Sequence, residues 1–302
     1  MSEILEKLGL IGLVPVVKIE DASKAERLAD ALVAGGLPCA EVTFRTDAAA
    51  DAISAITTAF PQMLVGAGTV INVDYAKKAK KAGARFIVSP GFNPAVVDWC
   101  LKNDMPVVPG VNNPSGVEAG LEKGLSVLKF FPAEQSGGVG MLSALAGPFP
   151  QVSFMPTGGI SLKNLADYAK CANVHAIGGS WMVKSDLIES ENWEEITRLC
   201  REAVTALHGF SLAHVGINGR DEQDAQNISK LLKACGFETK PDAGTCGHIE
   251  LKCWNVERAL YYLKQFGFNA VKETVKTEKG KISLAYLDKE IGGFAVQLVR
   301  AK

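Results

Sequence analysis

The chain has 302 residues, of which 47% are hydrophobic and 22% are charged. This length allows two domains, or one large barrel with an appended domain, and the composition excludes a disordered or fibrous protein. Lys and Arg number 32 against 33 for Asp and Glu, which gives a net charge of -1. Because the charges balance, the chain has no general attraction for nucleic acid or anionic membranes. Any site for an anion must therefore be a local group of residues.

The amino-terminal sequence and the cysteines predict a cytoplasmic protein. Glu3, Glu6 and Lys7 stand where a secretion signal would carry its unbroken apolar stretch, and no apolar run has the length of a membrane span. The seven cysteines are scattered along the chain and form no C-x-x-C pair. This pattern is typical of reduced thiols packed inside a protein.

Through the first two thirds of the chain, short runs rich in Val, Ile and Phe alternate with segments of helical spacing. The runs predict strands at residues 14–19, 39–44, 63–67, 86–88, 106–108, 127–130, 152–155 and 175–177. The segments between and after them predict helices at residues 22–34, 48–59, 74–82, 94–103, 115–123, 138–146, 162–170 and 193–206. This β/α alternation predicts an α/β (β/α)8 TIM barrel over residues 1–208. A doubly wound open sheet is the alternative, although the dinucleotide motif expected after its first strand is absent.

A different pattern begins after the barrel. The predicted elements are, in order, a strand at 213–218, a helix at 224–236, strands at 237–240 and 248–253, a helix at 256–266, and strands at 270–277, 281–287 and 294–299. The order of strand, helix and several strands occurs twice, and the first copy is cut short. The sequence therefore predicts a second, small α+β domain of βαβββ type over residues 212–302.

Charged residues occupy the predicted carboxyl end of the second barrel strand, at the face where TIM-barrel active sites lie. In Glu41-Val-Thr-Phe-Arg45, strand alternation places Glu41, Thr43 and Arg45 on one side of the strand. A structural pair between Glu41 and Arg45 would explain two charges there. Their position at the active end of the strand favours a functional role instead.

Lys129 is the single charged residue in the apolar run 127–131. Helices cover the outside of a barrel strand, so a lysine on the strand reaches water only through the barrel mouth. A lysine in an apolar site can lose its proton and attack a carbonyl, forming a Schiff base. Lys129 is therefore the predicted nucleophile, and an ordinary surface lysine is the alternative.

Glycine pairs follow the last two predicted barrel strands, in Pro156-Thr-Gly-Gly-Ile160 and Ile177-Gly-Gly-Ser-Trp181. Glycine lets backbone N–H groups approach a phosphate, and the loops after strands seven and eight are the usual phosphate position in this fold. The lysine, the carboxylate, the arginine and these loops together indicate Schiff-base aldol chemistry on a phosphorylated or carboxylated carbonyl compound. Such chemistry requires no metal.

Seven motifs carry a resemblance to a known family. They are Glu41-Val-Thr-Phe-Arg-Thr, Gly66-Ala-Gly-Thr-Val, Ser89-Pro-Gly, Lys129-Phe-Phe-Pro-Ala-Glu, Ala146-Gly-Pro-Phe, Pro156-Thr-Gly-Gly-Ile and Gly178-Gly-Ser-Trp. In order and spacing, residues 8–206 resemble the 2-keto-3-deoxy-6-phosphogluconate (KDPG) and 4-hydroxy-2-oxoglutarate aldolases, class I enzymes of the Entner–Doudoroff pathway. The resemblance implies a cofactor-free homotrimer that yields pyruvate and glyceraldehyde 3-phosphate, or pyruvate and glyoxylate.

The resemblance also implies roles for individual residues. Lys129 would form the Schiff base with the 2-keto group, while Glu41 relays protons through a water. Side chains that hold the substrate carboxylate, wall the site or meet the substrate hydroxyl would be Arg45, Thr69, Pro90, Phe131 and Thr157. The 6-phosphate would be bound by Gly158, Gly159, Gly179 and Ser180. Threonine at position 157 favours the gluconate substrate over its galactonate epimer, which is the alternative.

One stretch departs from the family pattern. Pro109-Gly-Val-Asn-Asn-Pro114 replaces a more usual Gly-Ile-Ser/Thr-Thr stretch after the fifth strand. We expect this difference to affect substrate breadth rather than the chemistry.

Residues 212–302 resemble vicinal-oxygen-chelate, or glyoxalase-like, modules in their order of elements. Metal-dependent members bind a divalent ion with residues of the first and last strands, and the matching positions here are His214, His248 and Gln297. Because glutamine stands where glutamate is usual, these three candidate ligands are not expected to form a complete metal shell. A binding, regulatory or assembly module is the favoured interpretation, and a second, metal-dependent lyase or isomerase is the alternative.

Overall fold

The chain divides into two compact units, Met1–Leu207 and His208–Lys302. The computed structural model describes residues 2–236 and 247–301. The strand predicted at 237–240 lies outside the described residues. No helix in the described ranges is long and apolar enough to cross a membrane.

Parallel strands alternate with helices throughout the first unit. The strands are β1 (Leu13–Val17), β2 (Cys39–Thr43), β3 (Leu64–Gly68), β4 (Phe86–Val88), β5 (Val107–Val108), β6 (Gly110–Val111), β7 (Val127–Phe130), β8 (Ser153–Pro156) and β9 (Ile177–Gly179). The helices are α1 (Glu3–Ile11), α2 (Ala25–Ala34), α3 (Ala49–Ala59), α4 (Val73–Lys81), α5 (Pro94–Lys102), α6 (Pro114–Glu122), α7 (Gly138–Ala146), α8 (Leu165–Lys170), α9 (Ser185–Glu189) and α10 (Trp193–His208).

The strands of the first unit pair in a circle. Among its described residues, one parallel sheet runs β5-β4-β3-β2-β1-β9 and another runs β6-β7-β8. Pro109, which has no N–H to donate, separates β5 from β6, so these segments are halves of one strand. Bridges from Phe154 to Val174 and from Thr157 to Gly178 join the ends of the two sheets. The first unit is therefore a TIM-like α/β barrel, as predicted, and not a doubly wound open sheet.

Burial on both faces holds the barrel strands in place. Every residue of β1, β2 and β3 is buried. Parallel strands covered by helices outside and side chains inside require such continuous burial. The surrounding helices contribute one apolar face each; in α2, Leu28 and Leu32 are fully buried. This arrangement turns the carboxyl ends of all barrel strands toward one rim.

Helix α1 precedes the barrel and was not predicted from the sequence pattern. It begins after Ser2, whose Oγ accepts a hydrogen bond from the Leu5 backbone N–H at 3.4 Å. Leu8 and Ile11 are buried. The His175 ring contacts the helix through its Nε2, which lies 2.7 Å from the Leu5 carbonyl oxygen. Helix α9 was also not predicted.

The second unit contains a mixed sheet and helices. Its strands are β10 (Ser211–Gly216), β11 (His248–Cys253), β12 (Lys276–Glu278), β13 (Lys281–Tyr286) and β14 (Ala295–Arg300), and its helices are α11 (Glu222–Ala234) and α12 (Val256–Lys264). In the described part, the strand order is β10-β11-β14-β13-β12, with β11 and β14 parallel and the other neighbours antiparallel. Val256 and Ala259 of α12 share an apolar core with Val296 and Leu298 of β14. The second unit is therefore a small α+β domain.

Candidate active site

A cavity of about 270 Å³ lies at the carboxyl ends of the barrel strands. It brings together every residue predicted for the aldolase site: Glu41, Arg45, Thr69, Pro90, Lys129, Phe131, Thr157, Gly158, Gly159, Gly179 and Ser180. Val16, Thr43, Ile160 and Gly178 also line it and were not predicted as site residues. The alternation that selected Glu41 and Arg45 also points to Thr43, and Gly178 belongs to the second glycine pair. Neither strand alternation nor a glycine motif points to Val16 or Ile160.

Strand β7 holds Lys129 inside the barrel beside a carboxylate. The Lys129 side chain is 6% exposed and that of Glu41 is 1% exposed, and Lys129 Nζ lies 3.4 Å from Glu41 Oε1. The Phe131 ring centroid lies 5.1 Å from the same Nζ. An amine next to a base, both shielded from water, is the arrangement that covalent catalysis by lysine requires. Lys129 is not a surface lysine.

Glu41 occupies space that exists because residue 68 has no side chain. A Cβ at Gly68 would lie 2.2 Å from Glu41 Oε1. The other carboxylate oxygen, Oε2, is buried and has no hydrogen-bond partner among the described residues. A buried carboxylate oxygen without a partner is unfavourable, so this atom is available to a proton of a bound molecule.

Thr43 connects Arg45 to the neighbouring strand. Its Oγ1 donates a hydrogen bond to the Val17 carbonyl oxygen at 2.8 Å and accepts one from Arg45 Nε at 3.1 Å. Within the described residues, the ion pair of Glu41 is with Lys129. The structural pair between Glu41 and Arg45 that the sequence allowed is therefore absent from the described part. The other guanidinium nitrogens of Arg45 can serve an anion at the cavity edge.

The loops after β8 and β9 line the same cavity. Gly158 and Gly159 have φ values of 101° and 77°, a backbone conformation that favours glycine. Successive residues in such turns present their backbone N–H groups to an anion. The parallel bridge between Thr157 and Gly178 places the two loops side by side.

Thr157 and Gly178 fit closely at this bridge. A Cβ at Gly178 would lie 2.3 Å from Thr157 Oγ1. That hydroxyl is buried and makes no hydrogen bond to any described residue. It lines the cavity and is therefore available to a polar group of a bound molecule.

The three candidate metal ligands lie in the second unit. His214 Nε2 and His248 Nε2 are 2.8 Å apart, and Glu250 Oε1 is 3.5 Å from His214 Nδ1. Gln297 is paired in register with Glu250 on the neighbouring strand. Over residues 2–236 and 247–301, no group of His, Cys, Asp and Glu has the geometry of a metal site. The structure does not support a metal site here, because the described residues around these histidines form no such group and an amide with two imidazoles does not complete the shell of a divalent ion.

The barrel and its cavity define the class of the protein, an aldehyde lyase of the Schiff-base type. A family model described as "Aldolase: KDPG and KHG aldolase" matches residues 4–199. The chain belongs to the KDPG and KHG aldolase family.

Individual relatives agree with this membership. A 2-dehydro-3-deoxy-phosphogluconate aldolase of Haemophilus influenzae is 49% identical over 203 residues, which cover 67% of this chain and 96% of that protein. A KHG/KDPG aldolase of Escherichia coli K12 is 45% identical over 192 residues, covering 64% and 90%. The crystal structure of a Legionella pneumophila KDPG aldolase, with pyruvate captured as a covalent carbinolamine intermediate, has a TM-score of 0.65 and 40% identity, covering 67% and 98%. Two thirds of this chain thus account for nearly all of each relative.

Proposed function

We propose that the protein is a metal-independent class I aldolase that cleaves KDPG to pyruvate and glyceraldehyde 3-phosphate. The observation that carries this proposal is the shielded contact of 3.4 Å between Lys129 Nζ and Glu41 Oε1. The names of the relatives support the substrate, and the name KHG/KDPG aldolase also supports cleavage of 4-hydroxy-2-oxoglutarate to pyruvate and glyoxylate.

The proposed reaction proceeds through Lys129. Its neutral amine adds to the 2-keto carbon, and loss of water from the carbinolamine gives an iminium. Glu41, acting through a water, takes the proton of the C4 hydroxyl; the C3–C4 bond breaks and its electron pair moves to the iminium, forming an enamine. The aldehyde leaves, Glu41 returns a proton to C3, and water releases pyruvate from the lysine.

The remaining cavity residues would orient the substrate. Arg45 and Thr69 would hold the carboxylate, and the φ of 56° at Thr69, unusual for a residue other than glycine, is the kind of strain found at functional sites. Thr157 would meet the substrate hydroxyl, and its buried Oγ1, which has no hydrogen-bond partner among the described residues, supports the gluconate epimer. Pro90 and Phe131 would form the walls. The phosphate would lie on Gly158, Gly159, Gly179 and Ser180.

Borohydride trapping tests the nucleophile. Incubation with pyruvate and borohydride should attach one pyruvate to Lys129, as detected by peptide mass spectrometry, and EDTA should change neither trapping nor pyruvate release from KDPG. Lys129→Arg should abolish both signals because the guanidinium cannot form the Schiff base. Lys123→Arg is the matched control, since Lys123 Nζ contacts Asp98 Oδ1 at 2.7 Å outside the cavity. Trapping that persists in Lys129→Arg would overturn the assignment.

We also propose domain roles and an assembly state. The aldolase domain is residues 1–208, and residues 212–302 are a glyoxalase-like binding, regulatory or assembly domain, a type supported by the order β11-α12-β12-β13-β14. The family resemblance supports a homotrimer, and the amino-terminal sequence and the cysteines support a cytoplasmic location. Three chains of 32.1 kDa would give about 96 kDa, which light scattering measures directly.

A further inference from the structure

A hydrogen-bonded pair lies next to the Gly158–Gly159 turn and takes no part in the proposed chemistry. The hydroxyl of Tyr168, on α8, donates a hydrogen bond to Glu134 Oε1. Tyr168 is 1% exposed. Burial, with a contribution from the Glu134 carboxylate, raises the pKa of the Tyr168 phenol, so the hydroxyl keeps its proton. Neither side chain lines the cavity.

Glu134 contacts the turn through both its backbone and its side chain. The Glu134 N–H donates to the Gly158 carbonyl oxygen at 3.2 Å. A Cβ at Gly159 would lie 2.6 Å from Glu134 Cγ, so the aliphatic part of the glutamate packs on the Gly159 backbone. A Cβ at Gly138 would lie 3.1 Å from Glu134 Oε1 and 3.2 Å from the Tyr168 oxygen. The carboxylate is therefore directed to Tyr168 and the start of α7.

Asn164 also contacts the turn. Its Nδ2 donates to the Gly159 carbonyl oxygen at 3.2 Å, and its Oδ1 accepts from the Ser161 N–H at 2.8 Å. Two consecutive glycines have more backbone freedom than any other pair of residues. A turn that binds an anion through its backbone must be held in one conformation beforehand, because ordering it on binding weakens affinity. Groups outside the turn have to supply that order.

We propose that Glu134, held by Tyr168, is a positioning residue that fixes the Gly158–Gly159 turn for the phosphate of the substrate. This inference rests on the proposed function. Neither Glu134 nor Tyr168 lines the cavity that contains Lys129. A change at either residue should therefore alter phosphate binding without altering the chemistry of Lys129. Loss of the Tyr168 hydroxyl also releases the Glu134 carboxylate from its hydrogen bond. A mobile carboxylate near the turn repels the substrate phosphate, and this repulsion adds to the loss of order in the turn.

The test is Tyr168→Phe, which removes the hydroxyl and keeps the buried ring. We expect the KM for KDPG to rise about tenfold and kcat to stay within about twofold. The variant would lose phosphate contacts that hold the substrate and the transition state equally, while the contacts specific to the transition state remain. The rate of borohydride trapping with pyruvate, which has no phosphate, should not change. Glu134→Gln keeps the packing of the aliphatic part and an acceptor for Tyr168, so its KM should rise less than that of Tyr168→Phe.

Tyr75→Phe is the matched control, because the Tyr75 ring packs against Phe44 with centroids 5.3 Å apart and the substitution keeps that contact. An unchanged KM for KDPG in Tyr168→Phe would overturn the proposal. Equal losses in trapping and in KDPG cleavage would also overturn it, because they indicate general damage to the barrel. Wild-type protein that neither traps pyruvate nor cleaves KDPG would instead contradict the proposed function.

Discussion

At the scale of single residues, the site depends on glycines as much as on the side chains that line the cavity. Glu41 fills the space next to Gly68, and Thr157 fills the space next to Gly178. These contacts place the carboxylate beside Lys129 and the hydroxyl beside the glycine loops. The reaction rate is sensitive to such positions, because displacing a catalytic group by about 1 Å can lower the rate about 10²-fold.

Gly68→Ala should therefore lower kcat for KDPG about 10²-fold, because the new methyl group displaces the Glu41 carboxylate from Lys129. Steady-state kinetics with circular dichroism as a check on folding would measure this. Gly140→Ala is the control, because nothing lies within 4 Å of a Cβ there. It should keep wild-type kinetics and gain up to about 1 kcal/mol in stability, since alanine favours a helix more than glycine does. Wild-type kcat in Gly68→Ala would show that the carboxylate position is unimportant.

Glu41, Arg45, Lys129 and the glycine loops could be predicted from the sequence because strand alternation and strand ends are local features. The other predicted residues of the cavity came from the family resemblance, and Val16 and Ile160 were not predicted. The partner of Glu41 could not be predicted. Arg45, four positions away, was the structural alternative that the sequence allowed, whereas the contact is with Lys129, 88 positions away. Which charged groups meet inside a barrel depends on how the sheet curves and closes. A short stretch of sequence does not contain that information.

At the scale of elements, the end of α10 contains a buried imidazole. His208 is 3% exposed, and its ring lies 5.2 Å from Phe210 and 4.8 Å from Tyr262 between ring centroids. Burial, with a smaller contribution from the charge of Arg258, lowers the pKa of His208 from 6.5 to about 3. The ring is therefore neutral in the folded protein at neutral pH.

This lowered pKa makes the second unit less stable in acid. Below pH 6.5 the unfolded chain binds a proton at His208 that the folded chain does not, so the free energy of unfolding falls with pH until about pH 3. Between pH 7 and pH 5 the contribution of this group should fall by about 2 kcal/mol. His208→Phe removes the titrating group and keeps an aromatic ring. Denaturant unfolding at both pH values should show a smaller loss in the variant than in the wild type; equal losses would contradict the assignment.

Most elements could be predicted because apolar periodicity is recorded in the sequence. The predicted strand at 270–277 is partly wrong: residues Lys272–Thr274 form a 3-10 turn, and β12 begins at Lys276. Thr274 Oγ1 donates to the Val271 carbonyl oxygen at 2.7 Å and accepts from the Tyr286 N–H at 3.0 Å. A side chain that bonds to nearby backbone competes with strand pairing, and β propensity alone does not include that competition.

At the scale of the whole molecule, the cavity residues all belong to the first compact unit. A chain ending at residue 208 should therefore keep kcat and KM for KDPG within about twofold of the full chain, because a unit with its own core can fold and act alone. The full-length protein at equal concentration is the control. A loss of tenfold or more, with the truncated chain folded, would mean that the second unit contributes to the reaction.

The bridge between Thr157 and Gly178 also limits how the enzyme can be engineered. Because Thr157 Oγ1 would lie 2.3 Å from a Cβ at position 178, Gly178→Ala alone should fail to fold or lose activity, whereas Gly178→Ala combined with Thr157→Gly should fold. Soluble yield and melting temperature would measure this non-additivity. Directed evolution that randomises one position at a time would discard every variant at residue 178. A library that varies both positions together would reach pocket shapes for other sugar acids that stepwise screening cannot sample.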